Sequence, residues 1–261
     1  MNRSIWLAAA LSFGIYSASF AQIGGKVTLH GTPPQMRQIR EMAAIPQCDQ
    51  LHKDPVYEDT VITGDNGELA NVIVFLKEGK PGELKGPRID KPASLDQKGC
   101  MYQPHVLVVQ IGQPVVVVNS DPFLHNARSV AVVNKPFNIA QINASDKKLE
   151  PFTTEETFQI KCDVHPWMKA VVRVFDHPYF ATTGENGKFS IDTKDLKDGA
   201  YVVQAWHELY KDSEPQTIEV KGGKATRELD FTYKADAKAQ ADPIKTVHLA
   251  SIAGTPASAA K

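Results

Sequence analysis

Short runs of β-branched and aromatic residues, bounded by Gly, Pro, Asn or Asp, recur along this 261-residue chain. Runs of this length and composition are typical of strands, and their spacing favours a sandwich or barrel. Only residues 35–42 have a pattern that predicts a helical segment. We therefore expect an all-β fold, with its first strands at 27–29, 71–76, 105–110, 115–118, 157–161 and 170–175.

A second group of strand signals follows residues 176–178. Asn186-Gly187 predicts a tight turn before the alternating Phe189 and Ile191. Further runs at 201–206, 216–220 and 228–233 complete a pattern that predicts a small meander-type sandwich. The segment 235–261 is rich in Ala, Lys and Asp without an apolar period, so we expect it to be a disordered tail.

The loop Cys162-Asp163-Val164-His165-Pro166-Trp167-Met168 carries the strongest chemical signal. It places a thiol, an imidazole and a thioether at successive intervals of three residues. Two histidines, one cysteine and a weak axial methionine form the ligand set of mononuclear copper sites that transfer electrons. Three of those four ligands are therefore present in one short loop.

A second loop offers the missing histidine. Residues 119–126, Asn-Ser-Asp-Pro-Phe-Leu-His-Asn, follow the strand-like run 115–118 and include His125. If the barrel brings this loop beside the strand end at Cys162, the four side chains can converge. We therefore predict copper as the cofactor, with His125, Cys162, His165 and Met168 as its ligands.

The amino terminus and the charge balance restrict the compartment and the partners. Arg3, the apolar stretch 5–16 and small residues before Gln22 indicate a secretory signal peptide cleaved after Ala21. Its removal deletes one cation from a chain with 29 basic and 30 acidic residues, a balance that does not favour nucleic acid as a partner. Beyond the signal, no stretch approaches the length of a membrane span. We expect a periplasmic or secreted protein.

An odd number of cysteines is informative in an oxidising compartment. Cys48 and Cys100 can form a disulfide, which leaves Cys162 as a free thiol or a metal ligand. An alternative joins Cys48 to His52 as half of a second metal site, but no completing pair is visible. The disulfide is the favoured prediction.

Residues 99–175 resemble the cupredoxin family, including its amicyanin and plastocyanin-like members. The Cys162, His165 and Met168 spacing matches the short amicyanin loop, and Leu124-His125-Asn126 is similar to the upstream cupredoxin histidine and its following asparagine. The mature chain also resembles secreted proteins that join a plastocyanin-like domain to a carboxypeptidase-regulatory-like, transthyretin-like module. The phrases that carry this second resemblance are 99–106, 119–122, 175–180 and 205–208.

These resemblances imply a domain plan. A signal peptide at 1–21 precedes an N-terminal extension at 22–98 that packs on a Greek-key cupredoxin-like domain at 99–175. A transthyretin-like sandwich at 176–234 and the tail at 235–261 follow. The extension is longer than a small cupredoxin requires, so it can supply edge strands, cover the metal or have a separate role.

Four residues near the predicted ligands have expected supporting roles. Asn126 is expected to tie the two loops together, and Asp163 places a carboxylate near the thiolate, where it can lower the reduction potential. Pro166 and Trp167 are expected to form an apolar surface beside His165 for transient docking of a redox partner protein.

Two classes of function are compatible with this pattern. The leading hypothesis is a type 1 copper protein that carries electrons and is not an enzyme, because hydrolase, protease, nucleotide-binding and haem-attachment motifs are missing and there is one ligand set. The alternative is a non-redox envelope module that binds glycan or protein and holds a structural metal. His105 and His177 are expected to form structural hydrogen bonds, although they could form a second polar or metal site. Residues 206–208, which include His207, are expected to be a packed strand end and not a catalytic set, and His52 has no assigned role outside the Cys48 alternative.

Overall fold

The computed structural model describes residues 21–78 and 84–235. The expected signal peptide therefore lies outside the described residues except for Ala21, and so does the expected tail except for Ala235. The described chain is built almost entirely from strands, which confirms the all-β prediction. Among these residues, no helix is long and apolar enough to cross a membrane.

Within the described residues, the fold contains eighteen strands, one 3₁₀ helix and one short α-helix. The 3₁₀ helix is Arg40–Ala44 and α1 is Pro46–Asp49. The strands are β1 Gln22–His30, β2 Ile73–Glu78, β3 Ala93–Lys98, β4 Met101–Gln103, β5 Val106–Gln110, β6 Val115–Asn119, β7 His125–Ser129, β8 Asn138–Gln141, β9 Ser145–Lys148, β10 Glu156–Lys161, β11 Lys169–Phe175, β12 Phe180–Thr182, β13 Lys188–Asp192, β14 Gly199–His207, β15 Lys211–Asp212, β16 Gln216–Lys221, β17 Lys224–Ala225 and β18 Leu229–Lys234.

Two sheets between β3 and β11 form the first sandwich. One has the order β5-β11-β10-β7-β8 and the other has the order β4-β3-β6-β9. Alternate residues of the strands point into one shared core, as in β10, where Phe158 and Ile160 are buried. Leu95 and Val117 fill the same core from the facing sheet. This two-sheet organisation agrees with the predicted cupredoxin-like sandwich.

The second sandwich contains strands from both ends of the chain. Its smaller sheet has the order β13-β1-β18, and its larger sheet has the order β12-β2-β14-β16-β17, with β15 paired to β14. Residues from β1 and β2, including Val27 and Val74, are fully buried in its core beside Tyr201 and Phe231. The domain plan predicted from the sequence packs residues 22–98 on the cupredoxin-like domain. In the structure, β1 and β2 instead pair with strands of the second sandwich. Strand alternation identified β1 and β2 but could not identify their partners, which lie more than a hundred residues away.

The two sandwiches share an apolar interface. It joins the larger sheet of the second sandwich to the outer face of the five-stranded sheet, and Arg173 lies over the rings of Phe75 and Phe175 at 5.6 and 4.9 Å. The buried apolar members are Ile73, Phe75, Val106, Val171, Phe175 and Trp206.

The helix expected at 35–42 is not formed. Residues around Gln38 instead pair with the segment near Tyr57, through the backbone bonds Ile39 N to Val56 O and Glu58 N to Arg37 O. The 3₁₀ helix begins only at Arg40, and Ile39 and Met42 are buried in the core of the first sandwich. Tertiary pairing and side-chain burial thus override the weak local helical pattern.

Candidate metal centre

The loop from Cys162 to Met168 connects two paired strands of the five-stranded sheet. β10 and β11 are antiparallel, and their last pair is Lys161 with Lys169. Cys162 lies two residues beyond the buried Ile160, so strand alternation places its side chain on the core side. The backbone closes the loop because Met168 N donates to His165 O at 2.9 Å and Cys162 N donates to Met168 O at 3.2 Å.

Strand pairing brings the fourth predicted residue to this loop. β7 begins at His125 and runs antiparallel to β10, with Arg128 opposite Lys161. His125 therefore lies beside the loop that follows β10. Its Nδ1 atom is 2.9 Å from His165 Nδ1, which in turn lies 3.7 Å from Cys162 Sγ. The predicted sulfur and imidazole nitrogens converge in the fold although 37 residues separate His125 from Cys162.

Burial and donor chemistry make this cluster suitable for a metal ion. One ligand atom from each of His125, Cys162 and His165 lies within 4.8 Å of the others, and all three residues are buried. Met168 is fully buried at the far end of the same loop. One thiolate and two imidazoles, with the buried Met168 in the same loop, fit copper better than calcium or magnesium, which prefer oxygen ligands.

The surroundings of Cys162 favour its thiolate form. Burial opposes ionisation, but the contacts with His125 and His165 outweigh this and lower the pKa of Cys162 to about 6. For His125, burial opposes protonation, while Asp121 and Cys162 raise its pKa. The thiolate, which is the form that binds metal, is therefore accessible near neutral pH.

Asn126 joins the two loops through both ends of its amide. Its oxygen accepts from Asp163 N at 2.7 Å and lies 3.4 Å from Cys162 Sγ. Its nitrogen donates to Asp163 Oδ2 at 3.0 Å and to Asn138 Oδ1 at 2.9 Å. The Asp163 carboxylate also lies 2.7 Å from Arg128 Nε, so much of its charge is compensated at the surface.

Trp167 does not form part of an exposed docking surface. Pro166 is exposed, but Trp167 is buried, and its Nε1 donates to Cys100 O at 2.9 Å. The indole therefore packs against the residue that carries the disulfide. The exposed apolar side chains beside the histidines are Leu124 and Val164, at 41% and 40% exposure.

The N-terminal segment reaches the candidate centre through a disulfide. Cys48 in α1 is bonded to Cys100, and the ligand atoms of these two residues and His165 lie within 4.8 Å of one another. Cys162 is the free cysteine and is buried. Part of the long extension therefore lies against the candidate centre.

Sequence reasoning missed Asp121. Its Oδ2 atom lies 2.9 Å from His125 Nε2, on the opposite side of the ring from His165. Burial raises the pKa of this carboxyl, but His125 and the amides of Cys100 and Gly99 lower it below the usual value. The sequence feature that could have identified Asp121 is the position of this acidic residue four residues before His125.

The other histidines have partners away from this cluster. His52 Nε2 lies 2.8 Å from Gly99 O, so with Cys48 in a disulfide the alternative Cys48–His52 metal pair is not formed. His177 Nδ1 accepts from Tyr179 N, and His207 Nδ1 accepts from Leu209 N. Both ring nitrogens of His105 contact carboxylates, those of Asp59 and Glu208, and not His177. In the described parts of the chain, every group of three or more closely spaced His, Cys, Asp or Glu ligand atoms includes His125 or His165.

Comparison with known proteins gives distant structural similarity only. No family model matches the chain, and no curated protein matches it either. Among solved structures, a Cu-containing nitrite reductase from Thermus scotoductus SA-01 is 26% identical, with a TM-score of 0.31, and the match covers 33% of this chain and 22% of that one. The chain thus spans about a fifth of that enzyme's length.

Two smaller copper proteins are similar over their whole length. A mutant of amicyanin in the Cu(I) form is 22% identical over 39% of this chain and 98% of that chain, with a TM-score of 0.30. A purple cupredoxin from Nitrosopumilus maritimus is 24% identical over 33% of this chain and 100% of that chain, with a TM-score of 0.28. Similarity at this distance does not extend to function, so the chemistry of the centre is inferred from its own geometry.

Proposed function

We propose that this chain is a periplasmic or secreted type 1 copper protein that transfers electrons. The convergence of Cys162 Sγ with the Nδ1 atoms of His125 and His165, in a buried site beside Met168, carries the proposal. Copper bound by such a set supplies one-electron chemistry. The Cys48–Cys100 disulfide supports an oxidising compartment.

The surrounding structure suits a carrier whose ligands stay fixed. Cys162 and His165 are held by a closed hairpin loop, and His125 is held by the neighbouring strand. Burial excludes water from the ligands, and the lowered pKa of Cys162 makes its thiolate available. Because paired strands hold both loops, the ligand positions should change little between oxidation states.

The surface beside the histidines suits a weak encounter with a redox partner protein. Leu124 and Val164 are exposed apolar residues next to His125 and His165 in the sequence, and Pro166 extends this surface. Electron-transfer encounters bury small interfaces. We propose transient docking there and no catalytic role for the chain.

Copper loading tests the proposal. The protein loaded with one equivalent of Cu(II) should show intense visible thiolate-to-copper absorption and a narrow hyperfine splitting in its paramagnetic resonance spectrum. Cys162→Ser should remove the visible band entirely, because Cys48 and Cys100 are bonded to each other. A colourless wild-type protein, or colour that survives Cys162→Ser, would overturn the assignment.

Methionine and zinc controls separate the remaining possibilities. Met168→Leu should change the visible spectrum and raise the reduction potential, whereas Met36→Leu, which packs against the second sandwich, should alter neither. Retention of zinc in preference to copper would instead support the alternative of a non-redox binding module, since a closed Cys/His site can hold zinc structurally.

A further inference from the structure

Asp121 is a buried carboxylate placed behind one of the proposed ligands. Only 4% of the residue is exposed, and its Oδ2 lies 2.9 Å from His125 Nε2. The other ring nitrogen, Nδ1, faces His165. The two nitrogens of His125 therefore have separate partners, one carboxylate and one ligand cluster.

Backbone groups hold this carboxylate in place. Gly99 N donates to Oδ1 at 2.8 Å and Cys100 N donates to Oδ2 at 2.9 Å. Gly99 and Cys100 form the turn between β3 and β4 and both have positive φ angles, 64° and 54°, which direct their amides into the site. Cys100 is also anchored to Cys48. Asp121 thus connects a rigid, cross-linked turn to the His125 ring.

We propose that Asp121 is a positioning residue that orients His125 for copper and lowers the reduction potential of the centre. This inference rests on the proposed copper function. When His125 Nε2–H donates to the carboxylate, the Nδ1 lone pair is directed toward Cys162 and His165. Carboxylates behind ligating histidines fix the ring and increase its basicity. The buried negative charge also favours the more positive Cu(II) over Cu(I).

The charge of Asp121 is less compensated than that of the other nearby carboxylate. Asp163 is about half exposed and paired with Arg128, whereas the carboxylate of Asp121 contacts the side chain of His125. Its remaining partners are backbone amides, which carry no net charge. Asp121 is therefore the carboxylate that should act most strongly on the electrostatics of the centre.

Asp121→Asn tests this role because it removes the charge and nearly preserves the shape. We expect the ratio of the Cu(II) to the Cu(I) dissociation constant to rise about tenfold, in line with the effect of such supporting groups on metal affinity. This corresponds to an increase of about 59 mV in reduction potential. The measurement is a redox titration of the visible band in the copper-loaded, full-length protein.

Asp96→Asn is the matched control. Among the described residues, Asp96 accepts a hydrogen bond from Ser120, the residue before Asp121, and not from His125. The same chemical change at Asp96 should alter the ratio of the Cu(II) to the Cu(I) dissociation constant by less than about twofold. Solvent partly screens the charge of Asp96, and Asp96 contacts the residue before Asp121 instead of His125. If the negative charge at position 121 lowers the reduction potential, the Asp121→Glu variant should have a potential near that of the wild type.

A spectroscopic measurement keeps the inference testable if Asp121→Asn does not fold. In the wild-type Cu(I) protein, ¹⁵N NMR should show His125 protonated at Nε2, with the strongly downfield proton of a charge-assisted hydrogen bond. Protonation at Nδ1, or a folded Asp121→Asn protein whose potential is unchanged or lower, would overturn the role of Asp121. Absence of a thiolate–copper band in the wild type would instead overturn the proposed function, so the two failures are distinguishable.

Discussion

At the residue scale, His105 shows how one side chain can join three parts of the chain. Its Nδ1 lies 2.8 Å from Asp59 Oδ1 and its Nε2 lies 2.6 Å from Glu208 Oε2. Asp59 belongs to the N-terminal segment and Glu208 follows β14 of the second sandwich. Burial opposes protonation, but the two carboxylates raise the pKa of His105 to about 9. A protonated imidazole therefore bridges two acidic groups at the junction.

This raised pKa predicts a dependence of stability on pH. The stabilisation from protonated His105 should be fully present below the ordinary value of 6.5 and should be lost as the pH rises through about 9. Between pH 6.5 and 9.5, we expect the wild type to lose about 3 kcal/mol of unfolding free energy relative to His105→Gln. Urea denaturation of both proteins at the two pH values measures this, and parallel pH profiles would contradict it.

At the element scale, the segment from the 3₁₀ helix to α1 is held by one cross-link and a few buried side chains. Ile39 and Met42 enter the core of the first sandwich, and Cys48 bonds to Cys100 at the turn between β3 and β4. The cross-link joins residues 52 positions apart and lies against His165. The stability of this segment and the cover of the candidate centre thus depend on the same bond.

Removal of the disulfide should destabilise the protein. The double variant Cys48→Ser, Cys100→Ser is expected to lose about 2–4 kcal/mol of unfolding free energy, because the unfolded chain regains the freedom of a long loop. Denaturant titration measures the loss, and amide exchange should be fastest in residues 39–49. Cys162→Ser is the control that removes a thiol and keeps the cross-link. Equal stability of the double variant and that control would contradict the prediction.

At the scale of the whole molecule, the chain closes on itself through its first strand. β1 lies between β13 and β18, antiparallel to one and parallel to the other. β2 occupies a similar inner position between β12 and β14. Four of the seven strand pairings in the second sandwich therefore depend on β1 or β2, which precede the first sandwich in the sequence.

A fragment containing residues 176–235 should not fold by itself. It lacks β1 and β2, which would leave Phe231, Tyr201 and their neighbours without facing core residues and would open two new sheet edges. We expect a dispersed amide NMR spectrum from the chain 21–235 and a collapsed spectrum from the fragment. A cooperative thermal transition in the isolated fragment would show that the N-terminal strands are dispensable.

Local sequence was sufficient for features that depend on neighbouring residues. Strand composition predicted most of the β elements, Asn186-Gly187 predicted the turn before β13, and the odd cysteine count favoured the Cys48–Cys100 bond now seen. The spacing of Cys162, His165 and Met168 identified the loop that the structure closes between β10 and β11. The strand, turn and loop signals each depend on residues that are close together in the sequence. The disulfide prediction depends on the odd number of cysteines.

Features that depend on distant partners became evident only in the folded structure. The alternation of apolar and polar residues identifies a strand and its buried face, but it does not identify the neighbouring strand. The strand β1 could therefore be predicted without its parallel partner β18. The burial of Trp167 against Cys100 and the approach of Asp121 to the outer nitrogen of His125 likewise arise where loops from different strands meet. Residue order was enough to locate many strands and the candidate ligand loop, but long-range packing sets what surrounds that loop, because contact between distant segments depends on the whole sheet arrangement.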